Sequence, residues 1–503
     1  MHELIKRNNL ILIALYFITF ILIYGSSLVK NGYHVDEIAD FTNNMQLQYI
    51  AIQRWGISIF RYIAGASSTP WAGGVFCGAC ISIALFLQTR ILNISNGWQQ
   101  LIYGLTYYAI PQTCIFLTYS IQIDAIACAI LLISIIIYCI TKTTCNKWVK
   151  SCTAIIILAY AIGCYQTTVI YYTTLCTGWL LSEFLSKKDN RSVYRTYMWS
   201  VSIIVPALIL YFSISKLALL SFNIPAEYLE CIKNYRKDSI VIQSIPNNSP
   251  ITVLFYIIHC FKLTLISFLD LTRWQFMYTA CIIPTALLII NICYTPCVHL
   301  KKLLYSFIAV IIYIIAHAQT ILFMKASISH PGMLTVPLSC AILCTLAIHH
   351  SPVLKERKIR IYTFALLLLS CINTMYLNNR LTNSMKLKYE AENARMNNLL
   401  QDAYRTAAQF GINMNNNRII LFKNHPVYYD YLKHNPQWNM FYVADIKEFC
   451  EYHKELADMN PWPHVNSVKA INNRIIIKLM DIHYQIPESP RSQSAMNQAQ
   501  ISR

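Results

Sequence analysis

The amino-acid sequence predicts an all-α polytopic membrane protein with a small α/β or α+β domain near its carboxyl end. Of the 503 residues, 56% are apolar or aromatic and 13% are charged. Soluble domains have about 25% charged residues, so this chain has too few to cover the surface of a soluble fold. The same composition excludes disordered, collagen-like and coiled-coil proteins. A protein with many membrane spans remains.

The spans follow from apolar runs of roughly 20 residues, with about 17 as the lower limit. The stretch 152–185 is longer than one span and is interrupted by polar residues near Tyr165 and Gln166. It is therefore predicted to form two short helices, which brings the total to about eleven spans. The other predicted spans are Asn9–Val29, Trp71–Leu87, Leu101–Leu117, Ile121–Ile140, Trp199–Leu219, Tyr278–Cys293, Leu303–Met324, Leu334–Ile348 and Ile361–Leu377.

The basic residues predict the orientation of these spans. The formal net charge is +18, which in a soluble protein would suggest a nucleic-acid partner. Here much of the excess lies in short loops between apolar runs, where Lys and Arg mark the cytoplasmic side, so no nucleic acid is expected. The segment Ile251–Leu269 is predicted to be interfacial or re-entrant, because counting it as a span would place Lys301 and Lys302 outside. The amino terminus is then cytoplasmic and the carboxyl terminus extracytoplasmic.

The domain organisation follows from this topology. Residues 1–380 form the predicted transmembrane domain, with large outward loops at 30–70 and 221–272. Residues 381–486 are predicted to be a soluble extracytoplasmic domain. The Ser- and Gln-rich tail 487–503 is predicted to be disordered.

Within the soluble domain, the pattern predicts both helices and strands. Ser384–Phe410 has the pattern of a surface helix, ended by Gly411. Arg418–Lys423 and Arg474–Leu479 alternate as short strands do, and Ala444–Met459 is predicted to be another helix.

An acidic pair, Asp36 and Glu37, follows the first span directly. Adjacent carboxylates repel each other, which suggests a functional reason for placing them together. One of them could act as a general base on an acceptor hydroxyl, or the two could hold a divalent cation. The alternative is that Asp36 caps the following helix and Glu37 favours its first turn.

Two arginines lie on the segment Phe41–Ile63, which is predicted to be one amphipathic helix too polar to span the bilayer. Arg54 and Arg61 are seven residues apart and so share a face of that helix. Two guanidinium groups at headgroup depth could bind one phosphate. The alternative is general attraction to anionic lipid.

Asp124 lies inside an apolar run, where an ionisable side chain is costly and is a functional candidate by default. The alternative is an acid near a helix end that reaches water. Tyr165 and Gln166 interrupt the next long run. Because buried phenols and amides need partners, this pair is predicted to line a cavity or to bond another helix.

Other candidates lie in the later outward segments. Lys262 and Arg273 could bind a phosphate, although cations at a rim are usually solvated. His330 is a further candidate to line the cavity. The sequence contains no Walker loop, no nucleotide-binding glycine fingerprint and no nucleophile elbow.

These residues, in this order, resemble the membrane glycosyltransferases of the GT-C superfamily, and in particular the bacterial serotype-converting O-antigen glucosyltransferases. The resemblance covers about residues 9–380 as topology. It rests on an acidic pair after the first span, an Arg-Trp-Gly element, an acid at the head of the fourth span and a Tyr-Gln element between two short spans; here these are Asp36-Glu37, Arg54-Trp55-Gly56, Asp124 and Tyr165-Gln166. The acidic pair is Asp-Glu where Asp-Asp is usual in the family.

The resemblance implies an enzyme of the bacterial cytoplasmic membrane. Such enzymes take a sugar, here expected to be glucose, from a polyprenyl-phosphate donor that has been flipped to the outer side. They transfer it with inversion to a surface glycan such as the O-antigen of lipopolysaccharide. The expected partners are the lipid-linked donor, the glycan acceptor, membrane lipid, and the flippase and polyprenyl-phosphate glycosyltransferase that supply the donor. No cofactor is implied beyond a divalent cation, should the acidic pair hold one.

The chemistry of that reaction agrees with the residues. One base is needed for the acceptor hydroxyl, and cations rather than a general acid stabilise a phosphate leaving group. Two other classes remain open. A polysaccharide polymerase or ligase would share the cationic lipid-phosphate sites but would not need the early acidic pair. A transporter would need polar residues at mid-membrane in several broken helices.

Overall fold

The structure is a computed structural model. It describes residues 7–28, 49–50, 52–64, 70–110, 120–144, 146–186, 190–222, 285–293, 299–323, 335–350, 357–412, 419–422, 441–443, 458, 467–471 and 474–478.

Helices dominate the described residues, and a further helical stretch covers residues 285–293. In chain order the helices are α1 (Arg7–Leu28), α2 (Trp55–Ala64), α3 (Pro70–Ile91), α4 (Gly97–Ala109), α5 (Ser120–Lys142), α6 (Lys147–Cys164), α7 (Thr168–Leu185), α8 (Asn190–Ser202), α9 (Ile204–Ser221), α10 (His299–Phe323), α11 (Thr335–His350) and α12 (Arg357–Gln409).

Among the described residues, 6 helices are long and apolar enough to cross a membrane. They are Asn8–Leu28, Trp71–Ile91, Gln122–Lys142, Lys147–Cys164, Arg191–Ser221 and Ile361–Ser384. The described part of the chain is thus mostly helical, and the length and apolar composition of these six helices are those of membrane-spanning helices. The total of about eleven spans stays a prediction, because several apolar runs fall partly outside the described residues, and Ile251–Leu269 falls wholly outside them.

The predicted interruption of the stretch 152–185 is confirmed. Helix α6 ends at Cys164 and α7 begins at Thr168, with Tyr165 and Gln166 in the turn between them. Neither helix has to accommodate the polar pair, since each is 18 residues long and the pair lies after the end of α6 and before the start of α7.

The helices pack around a buried polar centre. Helix α3 packs along α5, while α7 contacts α5, α10 and α11. The Gln88 amide nitrogen donates to the Ser134 hydroxyl at 3.0 Å and to the Tyr171 hydroxyl at 2.8 Å. Its amide oxygen accepts from the Tyr103 hydroxyl at 2.8 Å. Because a buried amide is costly without partners, this network fixes α3, α4, α5 and α7 relative to one another.

Helix α12 differs from the prediction. The span Ile361–Leu377 and the surface helix Ser384–Phe410 are parts of one 53-residue helix. No Gly or Pro occurs between its ends, so nothing in the sequence stops the helix where the apolar run ends. The predicted stop is confirmed, because α12 ends just before Gly411, whose φ is +65°. The chain divides by its contacts into two compact units, and within α12 the boundary between them lies between Ser384 and Met385.

The second unit contains a four-stranded mixed sheet. Its strands are β1 (Ile419–Phe422), β2 (Phe441–Val443), β3 (Val468–Ile471) and β4 (Arg474–Lys478), in the order β2-β1-β4-β3. Strand β1 pairs in parallel with β2 and β4, whereas β3 and β4 are antiparallel.

Strands β1 and β4 lie where the alternating pattern predicted them. The predicted helix Ala444–Met459 lies outside the described residues, apart from Asp458 in a turn. An independent extracytoplasmic domain at 381–486 stays a prediction, and the tail 487–503 also lies outside the described residues.

Candidate functional site

A tight turn precedes α2. The backbone N–H of Gln53 donates to the Ile50 carbonyl at 2.9 Å, and that of Arg54 donates to the Tyr49 carbonyl at 2.6 Å. Gln53 has a φ of +61°, so the turn has the hydrogen bonds and the left-handed residue of a Schellman motif. The single helix predicted across Phe41–Ile63 is therefore wrong, because the chain breaks at Gln53 and restarts in α2.

The left-handed turn directs backbone carbonyls towards the break between α6 and α7. The Tyr211 hydroxyl of α9 donates to the Gln53 carbonyl at 3.1 Å. The Gln166 amide nitrogen lies 3.2 Å from the Tyr211 hydroxyl, 3.4 Å from the Ile52 carbonyl and 3.5 Å from the Gln53 carbonyl. Gln166 thus joins the turn to α9, and its predicted bonding to another helix is found.

The Arg54 side chain extends from this turn and contacts α5 and the turn between α6 and α7. Its Nη1 donates to Oε1 of Gln122 on α5 at 2.9 Å. Its guanidinium carbon lies 4.6 Å from the centre of the Tyr165 ring, a cation–π distance. Tyr165 is 3% exposed, whereas Arg54 is half-buried. The guanidinium group is therefore fixed at two points while part of the side chain remains accessible.

The residues that follow Arg54 attach α2 to its neighbours. The Trp55 indole N–H donates to the Ser215 hydroxyl of α9 at 3.1 Å, and its ring stacks on Tyr211 with centroids 6.3 Å apart. Gly56 lies against the end of α6, where a Cβ would come within 2.5 Å of the Cys164 backbone nitrogen. Only glycine fits there without movement of a backbone.

Arg61, two turns further along α2, forms an ion pair with Asp124 of α5. Nη1 donates to Oδ2 at 2.7 Å and Nη2 to Oδ1 at 2.8 Å, so the contact is bidentate. The side chains of Arg61 and Asp124 are 2% and 4% exposed. Each supplies the counter-charge that burial of the other requires.

This geometry separates the two arginines that the sequence placed on one helix face. Arg54 precedes the first residue of α2 and so does not share its periodicity with Arg61. The first contacts Gln122 and Tyr165, and the second contacts Asp124. The i, i+7 argument assumed a continuous helix, and the turn at Gln53 removes that assumption.

Five of the predicted site residues therefore lie in one cluster, on the two helices α2 and α5 and in the two turns that precede α2 and α7. They are Arg54, Arg61, Asp124, Tyr165 and Gln166. Sequence reasoning did not assign Tyr211 and Ser215, although two hydroxyls four residues apart in an apolar run mark one polar helix face. Sequence reasoning also assigns no role to Gln122, which lies two residues before Asp124.

The remaining predicted site residues lie outside the described part of the chain: Asp36, Glu37, Lys262, Arg273 and His330. In the described part, no group of three or more His, Cys, Asp or Glu side chains is placed to hold a metal ion.

The family model described as "Glucosyl transferase GtrII" matches residues 25–336, which is more than half of the chain. The chain belongs to the GtrII glucosyltransferase family. The resemblance to the serotype-converting O-antigen glucosyltransferases is thereby confirmed. The matched residues include the whole cluster around Arg54, so the cluster is part of the region that defines this GtrII-family protein.

Membership makes the protein a sugar-transferring enzyme, which favours that interpretation over a transporter. Comparison with curated proteins and with solved structures found no significant match. The roles of individual residues in this GtrII-family chain must therefore be argued from their contacts.

Proposed function

We propose that the protein transfers glucose from a polyprenyl-phosphate donor to a surface polysaccharide of the O-antigen type. The reaction would take place on the outer side of the bacterial cytoplasmic membrane, with a cytoplasmic amino terminus and an extracytoplasmic carboxyl terminus. Family membership supports the transfer of a sugar. The distribution of basic loops supports the orientation.

The observation that carries the proposal is the position of Arg54. Its guanidinium group is oriented by Gln122 and by the Tyr165 ring, yet the side chain stays half-buried rather than enclosed. A guanidinium fork matches a phosphate, and such a group held in place before the reaction stabilises the charge that develops on a phosphate leaving group. Arg54 is the residue we assign to the donor phosphate.

The acceptor hydroxyl needs a base. We assign this role to Asp36 first and to Glu37 second, because both directly follow the first span. Both oxygens of Asp124 already bind Arg61, so Asp124 is the weakest of the three candidates. One base and a phosphate leaving group fit a single displacement, in which the anomeric configuration inverts.

Other predicted residues complete the proposed site. Lys262 and Arg273 would add positive charge near the donor phosphate, and His330 would line the cavity together with Tyr165 and Gln166. A divalent cation, where one is used, would bind the acidic pair, since carboxylates are the ligands that Mg²⁺ and Ca²⁺ prefer.

The direct test uses the purified full-length protein in proteoliposomes. Polyprenyl-phosphate glucose and UDP-glucose, each with a radiolabelled sugar, are offered separately with an O-antigen polysaccharide acceptor. We expect label in the polysaccharide only from the lipid donor. Equal transfer from UDP-glucose without lipid donor would contradict the proposal, as would an active protein that accepts neither donor but joins polysaccharide chains.

A further inference from the structure

The ion pair between Arg61 and Asp124 is closed to substrate in this structure. Both terminal guanidinium nitrogens of Arg61 donate to Asp124, and both carboxylate oxygens accept. Asp124 Oδ1 also accepts from the Ala125 backbone N–H at 2.8 Å. A general base must lie within hydrogen-bond reach of the hydroxyl that it deprotonates. Asp124 accepts these three hydrogen bonds while its side chain is 4% exposed, so a hydroxyl could reach it only if the buried pair opened.

The same pair is well placed to fix Arg54. Arg54 is joined directly to the first residue of α2, and Arg61 lies near the other end of that helix. On α5, Gln122 and Asp124 are two residues apart. Helix α2 is therefore attached to the start of α5 at two points, through Arg54 to Gln122 and through Arg61 to Asp124.

A third contact removes the remaining freedom of α2. Gly56 lies against the backbone of Gly163 and Cys164 at the end of α6, next to Tyr165. With Gly56 against α6 and Arg61 against α5, α2 can neither rotate nor slide without breaking one of these contacts. The guanidinium group of Arg54 is thereby held over the Tyr165 ring.

We infer that Arg61 and Asp124 are a positioning pair, which orients Arg54 towards the phosphate of the lipid donor and takes no part in proton transfer. The inference rests on the proposed function, since Arg54 is assigned to the donor phosphate there. It separates the two arginines by role. Arg54 would contact the donor, and Arg61 would act through the helix that carries Arg54.

The test is a double-mutant cycle with Arg61→Gln, Asp124→Asn and the double variant. Each single change leaves one buried charge without its counter-charge, whereas the double change removes both charges. Arg54 would contact the donor phosphate in the bound ground state as well as in the transition state, so its displacement weakens donor binding first. We expect each single variant to raise the KM for polyprenyl-phosphate glucose by about 10- to 100-fold, the scale of a misplaced binding group, and to lower kcat by a smaller factor. The double variant should have a lower KM than either single variant.

Two further variants distinguish positioning from folding. Arg61→Lys keeps the charge but loses the bidentate contact, so its KM should lie between those of wild type and Arg61→Gln. Glu183→Gln is the matched control, because Glu183 pairs with Lys142 at the other end of α5, with 3.3 Å between Oε1 and Nζ. It should lower the thermal unfolding midpoint in detergent and leave the donor KM unchanged.

Three results would overturn the inference. If Asp124→Asn lowers kcat by about 10²- to 10⁴-fold at unchanged KM, and the double variant is no better, Asp124 is the base. If Asp124→Asn and Arg61→Gln behave like Glu183→Gln, with a lower midpoint and an unchanged KM, the pair is only structural. If folded wild-type protein transfers no glucose from this donor, the proposed function fails first and the positioning role fails with it.

Discussion

Gly56 on α2 and Gly163 on α6 lie back to back. A Cβ on Gly56 would come within 2.7 Å of the Gly163 carbonyl carbon, and a Cβ on Gly163 would come within 2.7 Å of the Trp55 indole ring. Small residues allow helix backbones to approach this closely inside a membrane protein. The contact places the start of α2, and with it Arg54, beside the break that carries Tyr165 and Gln166.

We therefore expect Gly56→Ala to destabilise the protein and to lower glucosyl transfer. The atoms that the new methyl group would meet are backbone atoms, so α2 or α6 must move, and overpacking of this kind costs about 1–3 kcal/mol. Gly97→Ala is the control, because a Cβ there meets nothing within 4 Å. Thermal unfolding in detergent and turnover of both variants measure the effect. An unfolding midpoint for Gly56→Ala equal to that of Gly97→Ala would show that the close approach has no energetic importance.

The Tyr165 ring should matter for the donor through its face and not through its hydroxyl. Removing the ring by Tyr165→Leu forfeits a cation–π contact of about 0.5–2 kcal/mol, which corresponds to a rise of a few-fold to roughly 30-fold in the donor KM. Tyr165→Phe keeps the ring and should stay near wild type. Steady-state kinetics with varied polyprenyl-phosphate glucose separate the two. A Phe variant as impaired as the Leu variant would assign the role to the hydroxyl instead.

Substitutions at Gln53 measure the backbone strain in the turn before α2. Its φ of +61° is a left-handed conformation that costs a residue with a Cβ about 1–2 kcal/mol relative to glycine. Gln53→Gly and Gln53→Ala both lose the side chain and differ only in the Cβ. We expect the Gly variant to be more stable than the Ala variant by about 1 kcal/mol in chemical unfolding. Equal stability would mean that the turn relaxes when the side chain is removed.

The site shows which contacts a sequence can predict. Tyr165 and Gln166 were predicted to line a cavity or to bond another helix because a phenol and an amide interrupt an apolar run. The Gln166 amide lies 3.2 Å from the Tyr211 hydroxyl of α9, and the Tyr165 ring lies against the Arg54 guanidinium group. Asp124 was a functional candidate because a charge inside an apolar run needs compensation. The sequence does not identify the partner of Asp124, because Arg61 is 63 positions away. The helix predicted for Arg61 also ran unbroken across Phe41–Ile63, which placed Arg61 on one face with Arg54. The sequence does not predict the turn at Gln53, because the turn contains none of Gly, Pro or Asn.

In α12, the sequence predicted a helix boundary that the structure does not have. Hydropathy changes near Asn378, and the sequence was divided there into a span and a surface helix. The helix continues through the change, because residues 379–409 are mostly good helix formers and include no Gly or Pro. Asn378 itself is buried against α1, where its amide nitrogen donates to the Ser26 hydroxyl at 2.8 Å.

The orientation can be tested with the full chain. A phosphatase that is active only outside the cytoplasm, fused after Arg503, should be active in cells, and a cytoplasmic reporter at the same place should be silent. The physical reason is the bias of Lys and Arg towards the cytoplasmic loops. The control is a fusion at Lys355, in the short basic segment between the predicted spans Leu334–Ile348 and Ile361–Leu377, which the same topology places in the cytoplasm; it should give the opposite pattern. Activity of the cytoplasmic reporter after Arg503 would place the proposed site on the wrong side for a flipped donor.

The acidic pair after the first span is the last assignment to test. A general base contributes about 10²- to 10⁴-fold, so Asp36→Asn should lower kcat by that factor without a change in insertion or in the donor KM. Loss of a helix cap would cost only about 1 kcal/mol, and Asn is itself a good cap, so this substitution separates catalysis from capping. Glu37→Gln is the matched variant and should have the smaller effect. If both variants keep the wild-type kcat in the proteoliposome assay, neither carboxylate is the base, and another group must accept the proton of the acceptor hydroxyl.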